Sequence, residues 1–156
     1  MKRSVLFVCL GNICRSPAAE AVLRTAAGDA AVEVRIDSAG TIAAHAGEPA
    51  DPRMRAAGRK RGHALTSIAR QVTVADLEPG RFDRVIAMDR ENLAELRRLA
   101  PQPATRISLL SEFLESPWPQ DVPDPYYGGA DGFEFVLDML EAAAPKILHS
   151  LSNLQD

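Results

Sequence analysis

Val5-Leu6-Phe7-Val8-Cys9-Leu10-Gly11-Asn12-Ile13-Cys14-Arg15-Ser16-Pro17 reads as strand, turn and helix start in one continuous stretch. Val5 to Val8 is a short apolar run suited to a buried strand. Ser16 as N-cap and Pro17 at the first helical position open a helix, so Cys9 to Arg15 is the turn between them. Such a turn aims backbone N–H groups inward. With the positive end of the helix dipole and the Arg15 guanidinium, these donors form a cradle for a tetrahedral dianion. The same field stabilises a thiolate at its centre, so Cys9 is expected to be a nucleophile at neutral pH. Arg15, separated from it by five residues, offers a planar fork for two phosphoryl oxygens, which a lysine point charge could not hold. The plainer readings are a buried small cysteine and a surface ion pair.

Working outward, Val32 to Ile36, Arg84 to Met88 and Arg106 to Leu110 are further strand-like runs alternating with helical patterns. That alternation predicts a doubly wound four-stranded parallel sheet with helices on both faces and a phosphate-binding loop after the first strand. Ligands are then expected outside the carboxyl ends of the strands, where Cys9 lies. The first helix places Ala19, Val22, Leu23, Ala26 and Ala27 on one face and is expected to stop at Gly28. Pro52 to Arg61 is a second helix ending at Gly62. Glu91 to Leu99 is a third, with Asp89 as N-cap and Pro101 as its stop. The last runs from about Gly132 with Phe133, Val136, Leu137, Leu140, Ala144, Ile147, Leu148 and Leu151 on one side, and Pro145 is predicted to kink or interrupt it. Thr41 to Ala50 and the proline-rich Ser116 to Gly129 are loops, the latter expected to form the rim of the site.

At 156 residues, 46% hydrophobic and 25% charged, the chain is expected to form one globular domain over residues 1–156. A net charge of -3 and a pI near 5.6 argue against nucleic-acid binding. The basic run Arg53, Arg55, Arg59, Lys60 and Arg61 reads as a solvated helix face. The apolar run after Met1-Lys2-Arg3 is too short for a signal peptide, and no run is long enough to span a membrane. The default compartment is therefore the reducing cytoplasm, where the two cysteines are reactive groups before they are a structural disulfide. His45, His63 and His149 lack metal-ligand spacing, and Asp121 to Asp131 lacks that of a calcium loop. No metal, no nucleotide and no other cofactor is implied.

Together with Asp124-Pro125-Tyr126-Tyr127, the octapeptide Cys9 to Ser16 resembles the low-molecular-weight protein tyrosine phosphatases. The match runs from Val5 to about Leu148, and includes Asp37-Ser38-Ala39-Gly40, Asp51-Pro52-Arg53, Ala69-Arg70-Gln71 and Met88-Asp89 with Asn92. The resemblance implies that Cys9 takes the phosphoryl group, Arg15 clamps it, and Asp124 serves as general acid and then general base; alone, Asp124 would read as an Asp-Pro turn residue. Leu10, Gly11, Asn12, Ile13, Cys14 and Ser16 are the remaining substrate-binding loop positions, with His45 and the aromatic walls Tyr126 and Tyr127 above them. Ser16 can donate to the Cys9 sulfur or cap the helix, two uses that compete for one hydroxyl. Ser38 and Asn12 would brace the loop, and Asp89 would orient Arg15 as well as cap. Cys14 is either a redox partner that protects Cys9 as a disulfide or a small filler beneath the loop.

Some positions depart from the family. Ala44 stands where a tryptophan often lines the pocket, and Trp118 in the other loop could partly compensate. Ser67 stands where some relatives have a histidine bracing the loop network. Ile13 replaces the threonine of the related arginine phosphatases, which favours phosphotyrosine. Phosphotyrosine-containing proteins are the expected partners, with a tyrosine kinase as opposing enzyme, inorganic phosphate as product and a monomer as the acting form. The alternatives are a phosphoarginine phosphatase, an arsenate reductase of the same fold, which would need a relay cysteine beyond Cys14, and a non-catalytic oxyanion- or phosphotyrosine-binding module.

Overall fold

A computed structural model describes residues 2–100, 102 and 106–155. Four strands, β1 (Arg3–Cys9), β2 (Val34–Gly40), β3 (Arg84–Ala87) and β4 (Ile107–Leu109), form one parallel sheet in the order β2-β1-β3-β4. The chain steps from β1 to β2 on one side and then to β3 on the other. That reversal opens a crevice at the carboxyl end of β1, where a doubly wound sheet takes its ligand.

Alternation along β1 sorts the two sides of the sheet. Val5 and Phe7 join one buried cluster while Leu6 and Val8 join the other. The first cluster is covered by α1 (Arg15–Asp29), α2 (Pro52–Lys60) and α4 (Ala130–Ser152), and the second by α3 (Arg90–Leu99) and the 3-10 turn Val74–Leu77. The expected apolar face of α4 is buried, with Met139 and Ala143 added to it.

Several boundaries differ from the sequence reading. β2 starts two residues later and continues to Gly40, because Asp37 to Gly40 pairs with Leu6 to Cys9. β3 and β4 are shorter than expected, and Pro101, the expected stop of α3, lies outside the described residues. Gly28 does not end α1. The helix closes at Ala31, in the left-handed region at φ 56°, where Ala31 N–H donates to Gly28 and Val32 N–H to Ala27. These two bonds make a Schellman motif with alanine where glycine is usual. Ser16 does not cap α1; Cys14 occupies the cap position and no side chain caps the first turn. Pro145 lies inside α4 without ending it, since it faces solvent and the carbonyl it leaves unpaired can reach water. The basic run is not simply solvated: Arg61 binds Glu134, Asp138 and Glu141, tying α2 to α4. Among the described residues no helix is long and apolar enough to cross a membrane.

Candidate active site

The loop between β1 and α1 is held from below by a chain of side chains. Asn12 adopts φ 59°, and its amide donates to Ser16 Oγ at 2.8 Å and Ser38 Oγ at 3.0 Å while its Oδ1 accepts from Arg70 N–H at 3.0 Å. Both amide hydrogens and the carbonyl are engaged, so the side chain has one orientation. Ser38 passes its own proton to Glu20 Oε1 at 2.7 Å, and Glu20 pairs with Arg24. Gly40 closes the arrangement, because a Cβ there would lie 2.7 Å from the Leu10 carbonyl oxygen.

Cys9 Sγ sits at the centre, with only 2% of the residue exposed. Asn12 N–H points at it from 3.3 Å and Ser16 Oγ lies 3.0 Å away. Because Ser16 Oγ accepts from Asn12, its own proton is available to a thiolate. This engagement explains why Ser16 does not serve as the cap. The uncapped first turn of α1 leaves its N–H groups to the loop side, where an anion would meet them.

Arg15 is buried at the same level. Its Nη1 donates to Asp89 Oδ2 at 2.6 Å and to the Val122 carbonyl at 3.0 Å. Burial works against its charge, but Cys9, Asp89 and Asp124 outweigh this and hold it above the ordinary arginine value. Asp89 divides its oxygens: Oδ1 caps α3 through Asn92 N–H at 2.8 Å while Oδ2 holds Arg15. Asp124 likewise does two things. Oδ1 accepts from Tyr126 N–H at 3.0 Å, closing the 3-10 turn Pro125–Tyr127, and Oδ2 lies 3.7 Å from Arg15 Nη2.

These residues enclose a cleft of about 220 Å³, with Cys9, Ile13, Cys14 and Arg15 below and His45, Asp124, Tyr126 and Tyr127 around it. Tyr126 and Tyr127 meet edge to face at 4.9 Å, and Tyr127 is 91% exposed, so it forms the outer lip. Leu10, Gly11, Ile42 and Ala44 complete the lining. Cys14 is buried beneath, its thiol pushed up to about 12 by burial first and then by the negative charges of Asp51, Cys9 and Asp124. Neither cysteine is in a disulfide. Among the described residues no cluster of His, Cys, Asp or Glu could hold a metal ion.

The sequence reading missed Ile42 in the cleft wall, the buried Glu20 and the Val122 carbonyl. Glu20 could have been found, lying one helical turn beyond Ser16. A backbone carbonyl 107 residues from Arg15 carries no sequence signal. Trp118 does not reach the cleft; it packs on Phe135 of α4 at 5.9 Å. Ser67 is apart from the loop network, lining a different cavity with its Oγ buried and unpartnered.

A loop with donors aimed at a buried sulfur, an arginine at the same level and a carboxylate on the rim above, is built for a tetrahedral oxyanion. Residues 4–155 match the family model described as low molecular weight phosphotyrosine protein phosphatase. A low molecular weight protein-tyrosine-phosphatase of Streptomyces coelicolor is 47% identical over 154 residues, 95% of this chain and 93% of the relative. The crystal structure of a protein tyrosine phosphatase from Entamoeba histolytica superposes with a TM-score of 0.92 at 42% identity, covering 97% of each chain. A Drosophila arginine phosphatase superposes with a TM-score of 0.88 at 30% identity over the whole of both chains. The chain belongs to the low-molecular-weight phosphotyrosine protein phosphatase family. It is therefore a phosphatase enzyme, and its substrates are phosphoproteins.

Proposed function

We propose that the chain acts as a single domain that hydrolyses phosphotyrosine through a cysteinyl-phosphate intermediate. Cys9 Sγ attacks phosphorus as the tyrosyl oxygen leaves, and Asp124 gives that oxygen its proton. Asp124 then takes a proton from the water that cleaves the S–P bond, releasing inorganic phosphate and restoring the thiolate. Arg15 and the loop N–H groups hold the equatorial oxygens as charge builds on them. The observation that carries this reading is the buried Cys9 sulfur with two donors aimed at it, at the floor of a cleft whose rim carries Asp124. Only a long aromatic ester brings its phosphorus down to that sulfur past the tyrosines.

Cys14 acts as the redox partner. Peroxide converts the Cys9 thiolate to a sulfenic acid, Cys14 displaces water from it to form a disulfide, and an external thiol reduces that bond again. Such a nucleophile is suited to the reducing cytoplasm, with a tyrosine kinase as the opposing activity and a monomer as the acting form. Ile13 at the cleft floor favours phosphotyrosine over phosphoarginine, and a chain with two cysteines lacks the relay thiol of an arsenate reductase.

Phosphate release from phosphotyrosine, phosphoserine and phosphoarginine peptides tests the reading. Only the first should be turned over, and Cys9→Ser should abolish it. Asp124→Ala should lower kcat by about 10²- to 10⁴-fold and Arg15→Lys by about 10²- to 10³-fold. Release from none of the three peptides would point to arsenate chemistry or to a binding role.

A further inference from the structure

A second, larger cavity of about 650 Å³ lies beside α2 and the segment after it, lined by Arg55, Arg59, Leu65, Pro49 and Ser67 among others. Arg55 and Arg59 are one helical turn apart, so their guanidinium groups share one wall. Their neighbours Arg53 and Arg61 are tied to carboxylates, whereas Arg55 and Arg59 have no ion-pair partner among the described residues. Arg55 Nε and Ser67 Oγ are both buried without a hydrogen-bond partner. Buried donors left unpaired are costly, and an anion satisfies such a set directly. His63 also faces the cavity, but its ring nitrogens are taken by Thr25 Oγ1 at 2.9 Å and Glu141 Oε2 at 2.7 Å.

This cavity is not isolated from the cleft over Cys9. A shallow groove between them shares Pro49 and Arg55 with the cavity and Ile13, His45 and Tyr126 with the cleft. Of the carboxylates on the groove, Asp51 pairs with Arg53 at 2.9 Å and Glu48 hydrogen-bonds the His45 ring at 2.7 Å; neither lines the cavity itself, so the field of Arg55 and Arg59 stands there. Resting on the phosphatase reading above, we propose that the cavity beside α2 is a second subsite that takes an acidic side chain of the polypeptide whose phosphotyrosine occupies the cleft. The joining groove, with its apolar Pro49 and Ile13 and the Tyr126 ring, gives the intervening backbone a path. The subsite selects among phosphotyrosine sequences and takes no part in the chemistry.

The experiment compares phosphotyrosine peptides carrying a Glu pair or a Gln pair at successive positions on either side, using the full chain. Each kcat/KM is normalised to the same enzyme's turnover of p-nitrophenyl phosphate, which has no residue to reach the cavity and reports an intact fold. The parent should favour the Glu peptide by about five- to tenfold at one spacing. Arg55→Ala with Arg59→Ala should erase that preference, mainly through KM, while Arg97→Ala with Arg98→Ala on α3 removes the same charge and should keep it. No preference at any spacing, or one that survives loss of Arg55 and Arg59, overturns the subsite. Stimulation of the Gln peptide by an acidic peptide added separately would make the occupant a free anionic effector and overturn the substrate assignment. A parent that turns over p-nitrophenyl phosphate but no phosphotyrosine peptide, or neither, overturns the phosphotyrosine reading and this inference with it.

Discussion

Cys14 is adjacent to Arg15 and only 4% exposed, and its thiol is pushed up to about 12. At neutral pH it is a thiol, poorly prepared to attack an oxidised Cys9. Oxidation of Cys9 to the sulfenic acid removes one of the negative charges acting on Cys14, but burial and Asp51 remain. Below that value the thiolate fraction rises about tenfold per pH unit, and disulfide formation should rise with it. Peroxide pulses quenched by alkylation at pH 7 and pH 9 would measure this, and Cys14→Ser should make inactivation harder to reverse with a thiol. Recovery of that variant as full as the parent's would rule out a protective role. Asn12 illustrates the opposite case, a residue whose two amide hydrogens and carbonyl are all engaged and whose value lies in being immobile.

At the scale of elements, two turns carry the wrong and the right residue for their geometry. Ala31 holds the left-handed position that ends α1, where a Cβ is strained and nothing else in the motif requires it. Ala31→Gly should raise stability by about 0.5–1 kcal/mol without altering turnover. At the end of β2, the converse change Gly40→Ala places a Cβ against the backbone of Leu10 and Gly11 at 2.7 and 3.0 Å. It should cost about 1–3 kcal/mol and displace the loop, lowering kcat as well. Urea unfolding with parallel kinetics separates the two, since the predicted signs are opposite and only the second touches activity.

For the whole molecule, acid stability follows from two buried carboxylates held ionised by nearby partners. Asp51 caps α2, and its hydrogen bonds from Arg53 hold it below its ordinary value of 3.8. Burial alone would raise Asp76, but bonds from Arg70 and Thr73 outweigh it and hold that group below 3.8 too. A carboxylate lowered on folding stabilises fully above its unfolded value and loses that contribution as pH falls through its folded value. The urea midpoint should therefore fall on acidification below about pH 4, the decline continuing past the point where an ordinary aspartate is protonated. Asp76→Asn should lower stability at neutral pH and make this decline shallower. Arg70 links this effect to the site, since its backbone N–H holds Asn12 while its side chain bonds Asp76 and Asp37.

Wherever the physics was local, the residues alone determined the outcome. An apolar run that pairs as a strand, a loop of donors beside a helix start, and the alternation of strands and helices each follow from neighbours in the chain, so the doubly wound parallel sheet and the loop shared by Cys9 and Arg15 were legible, whereas Asp124 was singled out only through the family resemblance. Tertiary structure decided what competing local options could not. Ser16 could cap or serve the sulfur, and only the placement of Asn12 and Cys9 around it assigned the hydroxyl. Gly28 was a plausible stop, but the helix found its closing bonds at Ala31 and Val32 instead. Trp118 lay in a rim loop by sequence yet was drawn to Phe135, because there its ring packs against the edge of the buried core. The Val122 carbonyl behind Arg15 and the unpaired donors of Arg55 and Ser67 depend on which segments meet across the fold, and no spacing within the chain records that.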